Sequence, residues 1–431
     1  MKKLYSFVVL TACALLTSFS ANAQLQRSKE FQDKYKLKEA VVLSRHNIRS
    51  PLSGHGSALG EMTPHEWVKW SAAPSELTSR GGVSETAMGQ FFRNWLVGQG
   101  LFPDNCVPTA DEVNIYANSM QRCIATAQYF TSGFMPVANL TVNHRFSPSK
   151  MDPVFFPQLT KSSPEFRKVA LEQIAAMGGK KGIRGINEAI KSNYKLIEDV
   201  LDLDESPAYK SGKMKGFDNY DTEIILEEGK EPSMKGSLKD ANSAADAFIL
   251  QYYEEPDTLK AAFGHKNITR DDFKKIAKVK DVYQDVLFTA PIVAVNVANP
   301  LLRYMKDELN ADARKFTLLV GHDSNLGSVA AALGVEPFEA PEAIECKTPI
   351  GGKMVFEKWE DPATGENLVA INLVYSSVDQ LRNRELLSPE NPPMIVPLKL
   401  KGLTPNADGL YKLADVNARF AEALAAYEAI K

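Results

Sequence analysis

The sequence predicts an α/β protein, a mainly parallel sheet flanked by helices with a smaller, mostly helical insertion. Three observations predict it. Apolar runs recur that end in polar turns, helical periodicity lies between and after them, and the middle of the chain reads almost wholly as helix.

The chain has 431 residues, 44% apolar and 24% charged, which is the composition of a globular protein able to bury a full core. Its first residues read as an export leader. Lys2 and Lys3 precede an apolar stretch from Phe7 to Leu16, and Ala21-Asn22-Ala23 is a small-x-small cleavage site. Residues 1–23 are therefore expected to be a signal peptide removed before Gln24, in a periplasmic or secreted protein. The run is too short to span a bilayer, and no later stretch approaches one. Leu10-Thr11-Ala12-Cys13 offers a minor alternative, a lipoprotein signal anchored at Cys13.

The first strand is expected at Ala40-Val41-Val42-Leu43-Ser44, ending in Arg45-His46. Leu77 to Gly98 follows as a helix, with Val83, Ala87, Met88, Phe91, Phe92, Trp95 and Leu96 on helical spacing and Gly98 or Gly100 closing it. The second strand is Val113-Asn114-Ile115-Tyr116-Ala117. Asn118-Ser119 follows, and Ser119 is placed to cap a helix through Ala125 and Tyr129. From about Pro164 to Ala277 the pattern is helical, over Phe166–Met177, Ile183–Leu203 and Ala244–Tyr253. The polar stretch Asp204 to Asn242 is expected to be a flexible loop within that region. The third strand, Phe316-Thr317-Leu318-Leu319-Val320-Gly321, ends in His322-Asp323, with Ser324 or Asn325 starting a helix to Leu333. Strands return over Gly351 to Trp359 and Leu368 to Tyr375, and an amphipathic helix near Val416 to Ile430 ends the chain. The expected division is an α/β catalytic domain of residues 24–160 and 275–431, with 161–274 as the helical insertion. Continuous apolar runs of this length suit strands covered on both faces.

A net charge of −3 argues against a nucleic-acid or anionic-membrane binder. Cys106, Cys123 and Cys346 remain after leader removal. They allow at most one disulfide and show no zinc-binding spacing, so they are expected to be buried apolar residues.

The chemistry-bearing residues follow the three strands. Arg45-His46-Asn47-Ile48-Arg49-Ser50-Pro51 sets a histidine between two guanidinium groups. Guanidinium forks match the oxygens of a phosphate monoester, and the histidine between them can face phosphorus. Taken alone this could equally be a solvated surface loop. His322-Asp323-Ser324-Asn325 supplies an acid able to protonate a leaving oxygen and an imidazole able to hold a phosphate oxygen, or else merely a helix cap. Arg122 stands in the first turn of a helix whose N-terminus attracts anions, and alone would be read as an exposed arginine. In open α/β sheets sites gather beyond the carboxyl ends of strands, so the combination is more specific than any part. His55, His65, His144 and His265 show no partner spacing and are read as surface or structural. The sequons at Asn139 and Asn267 carry no weight without a known host.

With these residues in view, the chain resembles the histidine acid phosphatases, branch 2 of the histidine phosphatases. That family carries an R-H-G-x-R-x-P loop, a distant arginine and an H-D pair. The likeness extends over Arg45 to Pro51, Leu77-Thr78 with Gly81-Gly82, Tyr116 to Gln128, Met151-Asp152-Pro153, Asp246 to Glu254, Val320 to Asn325 and Thr348 to Trp359. Asn47 replaces the usual Gly and Ser324 the Thr common in phytases. The bacterial periplasmic enzymes that act on glucose 1-phosphate share both features, and the chain resembles them in this. Three cysteines cannot form all the disulfides typical of phytases.

The resemblance implies a phosphoglycerate-mutase-like α/β domain, a smaller helical domain and a substrate cleft between them. It implies a phosphomonoesterase with His46 as nucleophile and Asp323 as proton donor. Arg45, Arg49, Arg122 and His322 would hold the phosphate, with no metal and no cofactor. The expected substrate is a sugar phosphate such as glucose 1-phosphate. The alternative is inositol hexakisphosphate, which Lys210, Lys213, Lys215, Lys235 and Lys239 could greet. A non-enzymatic alternative is an exported sugar-phosphate binding protein, which would need the arginines but neither His46 nor Asp323. Nothing in the sequence sets the oligomeric state.

Overall fold

Ten strands are found among the residues that the computed structural model describes, which are 27–52, 58–145, 147, 150–219 and 221–431. They are β1 (Lys36–Arg45), β2 (Val113–Ala117), β3 (Val142–His144), β4 (Thr222–Ile225), β5 (Ser233–Gly236), β6 (Phe316–Gly321), β7 (Lys353–Asp361), β8 (Glu366–Tyr375), β9 (Met394–Pro397) and β10 (Tyr411–Lys412). Eight of them form one sheet in the order β10-β8-β7-β1-β6-β2-β3, with β9 also paired to β8. The leader expected over residues 1–23, with Cys13, lies outside the described residues, and so does His55.

The sheet is mixed in a way that separates its two halves. β1, β6, β2 and β3 run parallel, while β7, β8, β9 and β10 pair antiparallel beside β1. The three strands expected to carry the chemistry all fall in the parallel half. β1 has apolar partners on both faces, as its unbroken apolar run requires. Val41 and Leu43 join one core cluster while Ala40 and Val42 join another. β6 divides likewise, with Leu319 on the first face and Leu318 and Val320 on the second. The helices Ser79–Gly98 and Gln121–Phe134 cover the second face with Phe91, Phe92, Trp95, Phe130 and Phe134. The first face lies under Pro291–Leu309, Asp323–Ala332 and Leu413–Glu428, and its apolar cluster continues into the helices of residues 164–288.

Several local expectations are corrected. Ser119 is not a helix cap. Met120 holds that position, and the Ser119 hydroxyl donates to the Lys150 carbonyl at 2.6 Å. The helix after β6 begins at Asp323, with His322 as its N-cap residue. The stretch Ile183–Leu203 is two helices, Gly182–Ala189 and Lys191–Leu201, that meet at Ile190. The polar stretch 204–242 is not a structureless loop. It holds a short helix, Pro207–Lys210, then the β4–β5 hairpin, and from Ser237 the long helix Ser237–Glu254. Its charged residues satisfy one another, as Lys235 and Glu223 do across the hairpin at 3.5 Å, so the high polarity is compatible with regular structure. Cys106, Cys123 and Cys346 are all free thiols, but only Cys123 is buried as expected; Cys106 and Cys346 are half-buried. Among the described residues no single helix is long and apolar enough to cross a membrane.

Candidate active site

Register brings the three strand ends to one level. Arg45 of β1 lies opposite Gly321 of β6, and Val320 lies opposite Ala117 of β2. The chain leaves each strand still tied to its neighbour, since His46 N donates to Gly321 O at 3.0 Å and Asn118 N to Val320 O at 2.9 Å. The helix Ser79–Gly98 abuts the same loop. A Cβ at Gly81 would collide with the Ile48 carbonyl, so only glycine permits the approach.

The expected residues converge. The His46 and His322 rings stand 5.4 Å apart between centroids. Arg122 Nη2 lies 3.4 Å from His322 Nδ1, and Arg45 Nη2 lies 3.5 Å from Asp323 Oδ2. Arg49 reaches Asp246 Oδ2 at 2.9 Å. His46, His322 and all three arginines are buried. His144 is exposed on β3, apart from this constellation.

Hydrogen bonds fix the tautomer of both histidines. His46 Nδ1 lies 2.8 Å from the Asn47 carbonyl oxygen, which can only accept, so Nδ1 carries the proton and Nε2 presents its lone pair. Asn118 Oδ1 accepts from the backbone N–H groups of Ser119 and Asp152 at 2.7 and 2.9 Å, which orients its amide. Asn118 Nδ2 therefore donates to His322 Nε2 at 2.7 Å, and His322 Nδ1 carries the proton. The atoms separated by 3.4 Å, Arg122 Nη2 and His322 Nδ1, are thus two donors side by side, an arrangement suited to gripping an anion.

The charges are organised to match. Burial, joined by the Arg122, His322, Arg49 and Arg45 charges, holds His46 well below the usual imidazole range. Burial and Arg122 do the same to His322. Both shifts favour the neutral imidazole. For Asp323, burial opposes ionisation, but Lys280 and Arg45 overcome it and keep the carboxyl well below its ordinary value. Lys280 Nζ sits 2.8 Å from Asp323 Oδ2 and 3.1 Å from Asp246 Oδ1, tying the helices Arg270–Phe288 and Ser237–Glu254 to the end of β6. Arg45 is braced from behind by Glu345 at 3.1 Å and by the Thr348 carbonyl at 2.5 Å. The buried Nε–H groups of Arg45, Arg49 and Arg122 find no acceptor among the described residues. The result is a pocket of strong cationic donors around one imidazole lone pair, which can bind a tetrahedral oxyanion and attack its centre.

Sequence reasoning missed several residues here. Asp246 and Glu345 give no local signal, although Asp246 opens one of the stretches that carry the family resemblance. Lys280 looks like any lysine on an amphipathic helix. Glu231, next to the β4–β5 hairpin, has its carboxyl raised to about 7 by burial and by the nearby Asp323 charge. It lies in the polar stretch 204–242, whose composition predicts a loop and singles out no carboxylate. Of the lysines considered for a polyanion, Lys213 pairs with Glu61 and Lys235 with Glu223, so neither is a free cation.

Comparison with known proteins is consistent with this geometry. Residues 36–376 match the histidine phosphatase superfamily (branch 2). The chain is 38% identical to the glucose-1-phosphatase of Providencia rettgeri over 97% of its length and 99% of that protein. It is 39% identical to the glucose-1-phosphatase of Salmonella typhimurium over 96% and 97%. Among solved structures, the Hafnia alvei phytase superposes with a TM-score of 0.82 at 25% identity, covering 91% of this chain and 97% of that one.

Proposed function

The chain belongs to branch 2 of the histidine phosphatase superfamily and is a histidine acid phosphatase; from that premise we propose that it hydrolyses a small sugar phosphate such as glucose 1-phosphate through a phosphohistidine on His46. The observation that carries this reading is the His46 ring itself. Its proton is committed to the Asn47 carbonyl, its Nε2 lone pair is free, and burial together with the neighbouring guanidinium charges holds it well below the usual imidazole range.

In the first step His46 Nε2 forms a bond to phosphorus while the bond from phosphorus to the sugar oxygen breaks. Arg45, Arg49, Arg122 and the Nδ1–H of His322 hold the non-bridging oxygens and neutralise the charge they gather. The sugar oxygen leaves with a proton from Asp323. Lys280 and Arg45 hold that carboxyl ionised, so the proton enters with the substrate. A phosphate monoester is largely a monoanion below about pH 6. Its phosphoryl group takes a share of the Arg45 and Lys280 charges, and the Asp323 carboxylate, less strongly held, accepts the substrate's proton and passes it to the leaving oxygen. In the second step Asp323 takes a proton from water, whose oxygen attacks phosphorus as the bond to Nε2 breaks. The proton that Asp323 took from water leaves with the phosphate, so the products are the free sugar, inorganic phosphate and the starting enzyme with Asp323 again ionised.

Phytate is the second reading, favoured by the superposition on a phytase. The pairing of Lys213 and Lys235 with acidic neighbours weighs against it. Residues 1–23 serve in this reading as an export signal, so the enzyme acts in the periplasm or outside the cell. The stretch 161–274 acts as an inserted helical domain that contributes Asp246 to the cleft. Purified protein assayed at about pH 5 on glucose 1-phosphate and on inositol hexakisphosphate separates the two substrates. Acid-labile phosphoprotein trapped by rapid quench is expected with the better one, and its absence would sink the phosphohistidine.

A further inference from the structure

Three side chains outside the catalytic cleft meet although the sequence sets them far apart. His65 follows the short helix Ala58–Glu61, Asp202 ends the helix Lys191–Leu201, and His265 follows the helix Thr258–Ala261. His65 Nε2 lies 2.7 Å from Asp202 Oδ2, and His265 Nε2 lies 3.2 Å from the same oxygen. The three candidate ligand atoms all fall within 4.8 Å of one another. We propose that His65, Asp202 and His265 form a binding site for a divalent transition metal, zinc in the first instance, that staples the helical insertion to the loop before the helix Ser79–Gly98.

The geometry fits that class of ion. Zinc binds imidazole nitrogen and carboxylate oxygen at about 2.0–2.1 Å, which places neighbouring ligand atoms about 3.3 Å apart in a tetrahedron. Both nitrogen-to-oxygen separations lie within about 0.6 Å of that edge. Each side chain is about one-third exposed, at 31%, 36% and 31%, which leaves the remaining coordination positions open to water. Two imidazoles and one carboxylate suit zinc or its first-row neighbours and not magnesium or calcium, which take oxygen ligands.

The ligands are held before any ion arrives. The Thr63 hydroxyl donates to the Leu201 carbonyl at 2.7 Å and accepts from His65 N at 3.1 Å, fastening the His65 loop to the residue before Asp202. Asp202 sits in the left-handed region at φ 48°, which aspartate tolerates. Phe263, at φ 52°, stacks on the His65 ring with centroids 5.0 Å apart. A bulky residue at positive φ is costly, and here it sets the face of the first imidazole two residues before the second. None of the three ligands is among the residues around His46, so the ion's effect is on stability and not on the phosphoryl chemistry.

The test uses the full chain, stripped with chelator, and Zn²⁺ alone as probe. Calorimetric titration should give one ion per chain, and the ion should raise the melting temperature. Asp202→Asn keeps the shape and the left-handed preference but removes the charge, and His265→Gln removes one imidazole. Each should weaken Zn²⁺ binding by more than about 100-fold, since even changes behind a ligand cost 10–100-fold. Both should retain the metal-free rate on p-nitrophenyl phosphate, which also shows that they fold. No binding by the unaltered chain would overturn the proposal. So would binding that persists undiminished in both variants, because the ion would then sit elsewhere, as on the two active-site imidazoles.

Discussion

Lys353 Nζ lies 2.7 Å from Glu85 Oε1, and neither side chain has any exposed surface. The pair clamps the nucleophile's loop. Glu85 accepts from Asn47 Nδ2 at 2.8 Å through its other oxygen, while Lys353 also donates to Ser44 Oγ and the Gly351 carbonyl. Residues on both sides of Arg45-His46 are thus tied to one buried ion pair, and Asn47, the departure from the usual glycine, supplies one of the ties.

Breaking that pair should be expensive. Glu85→Gln keeps the shape but leaves Lys353 buried without its counter-charge, and such losses cost about 3–5 kcal/mol. Urea unfolding should show a destabilisation of that order. The double change Glu85→Leu with Lys353→Met should recover most of the stability while leaving Asn47 loose, so kcat should stay depressed. Equal recovery of both would show that the pair does not position His46.

His46→Ala should abolish turnover and with it any acid-labile phosphoprotein, while phosphate still binds through Arg45, Arg49 and Arg122. Equilibrium binding of inorganic phosphate to this variant, set beside its loss of rate, separates the attacking group from the holding groups. Measurable burst kinetics in the variant would point to another nucleophile.

Asp323→Asn should slow glucose 1-phosphate by about 100-fold or more, the usual contribution of a general acid. p-Nitrophenyl phosphate, whose leaving group needs little protonation, should lose far less in its phosphorylation step. Single-turnover rates on the two substrates make the comparison, and equal losses would remove Asp323 from that role.

Lys280→Met should raise the Asp323 carboxyl toward its ordinary range, because Lys280 is the largest charge holding it down. The acid limb of kcat/KM, which reports groups of the free enzyme, should move to higher pH. An unmoved limb would mean that His46 or the substrate sets it alone.

Stability should fall in acid in two windows. His46 and His322 have folded values below the unfolded imidazole value of about 6.5, so the unfolded chain takes up more protons as pH drops below it. Their contribution is complete above that value and fades toward pH 5. Asp323 and Asp246 are also held low, Asp246 by Arg49 and Lys280 against its burial, so their contribution is lost only below about pH 4. His322→Gln should therefore lose less stability between pH 7 and pH 5 than the unaltered chain, as read from urea midpoints at the two pH values.

The local parts of this molecule were legible early. Val41 to Leu43 and Leu318 to Val320 are apolar without interruption because both faces of their strands are covered, and a run of that kind announces itself in sequence. Arg45, His46, Arg49, His322 and Asp323 stand immediately beyond such runs, where α/β sheets gather their sites. The hairpin at 222–236 was not legible, since its strands are only four residues each, mostly half-exposed and set within a polar stretch. Nor was the metal-ligand cluster, since 137 and 63 residues separate His65 and His265 from Asp202.

By itself the sequence determined where the strands end and which phosphate-compatible groups stand there, because strand periodicity and turn chemistry act over a few residues. Only the tertiary structure decided the protonation of those groups and which imidazole nitrogen is free. Those properties come from Lys280, Asp246, Asn118 and the Asn47 carbonyl at distances of a few ångströms. A Coulomb field or a hydrogen bond depends on separation in space, and chain order carries almost none of that.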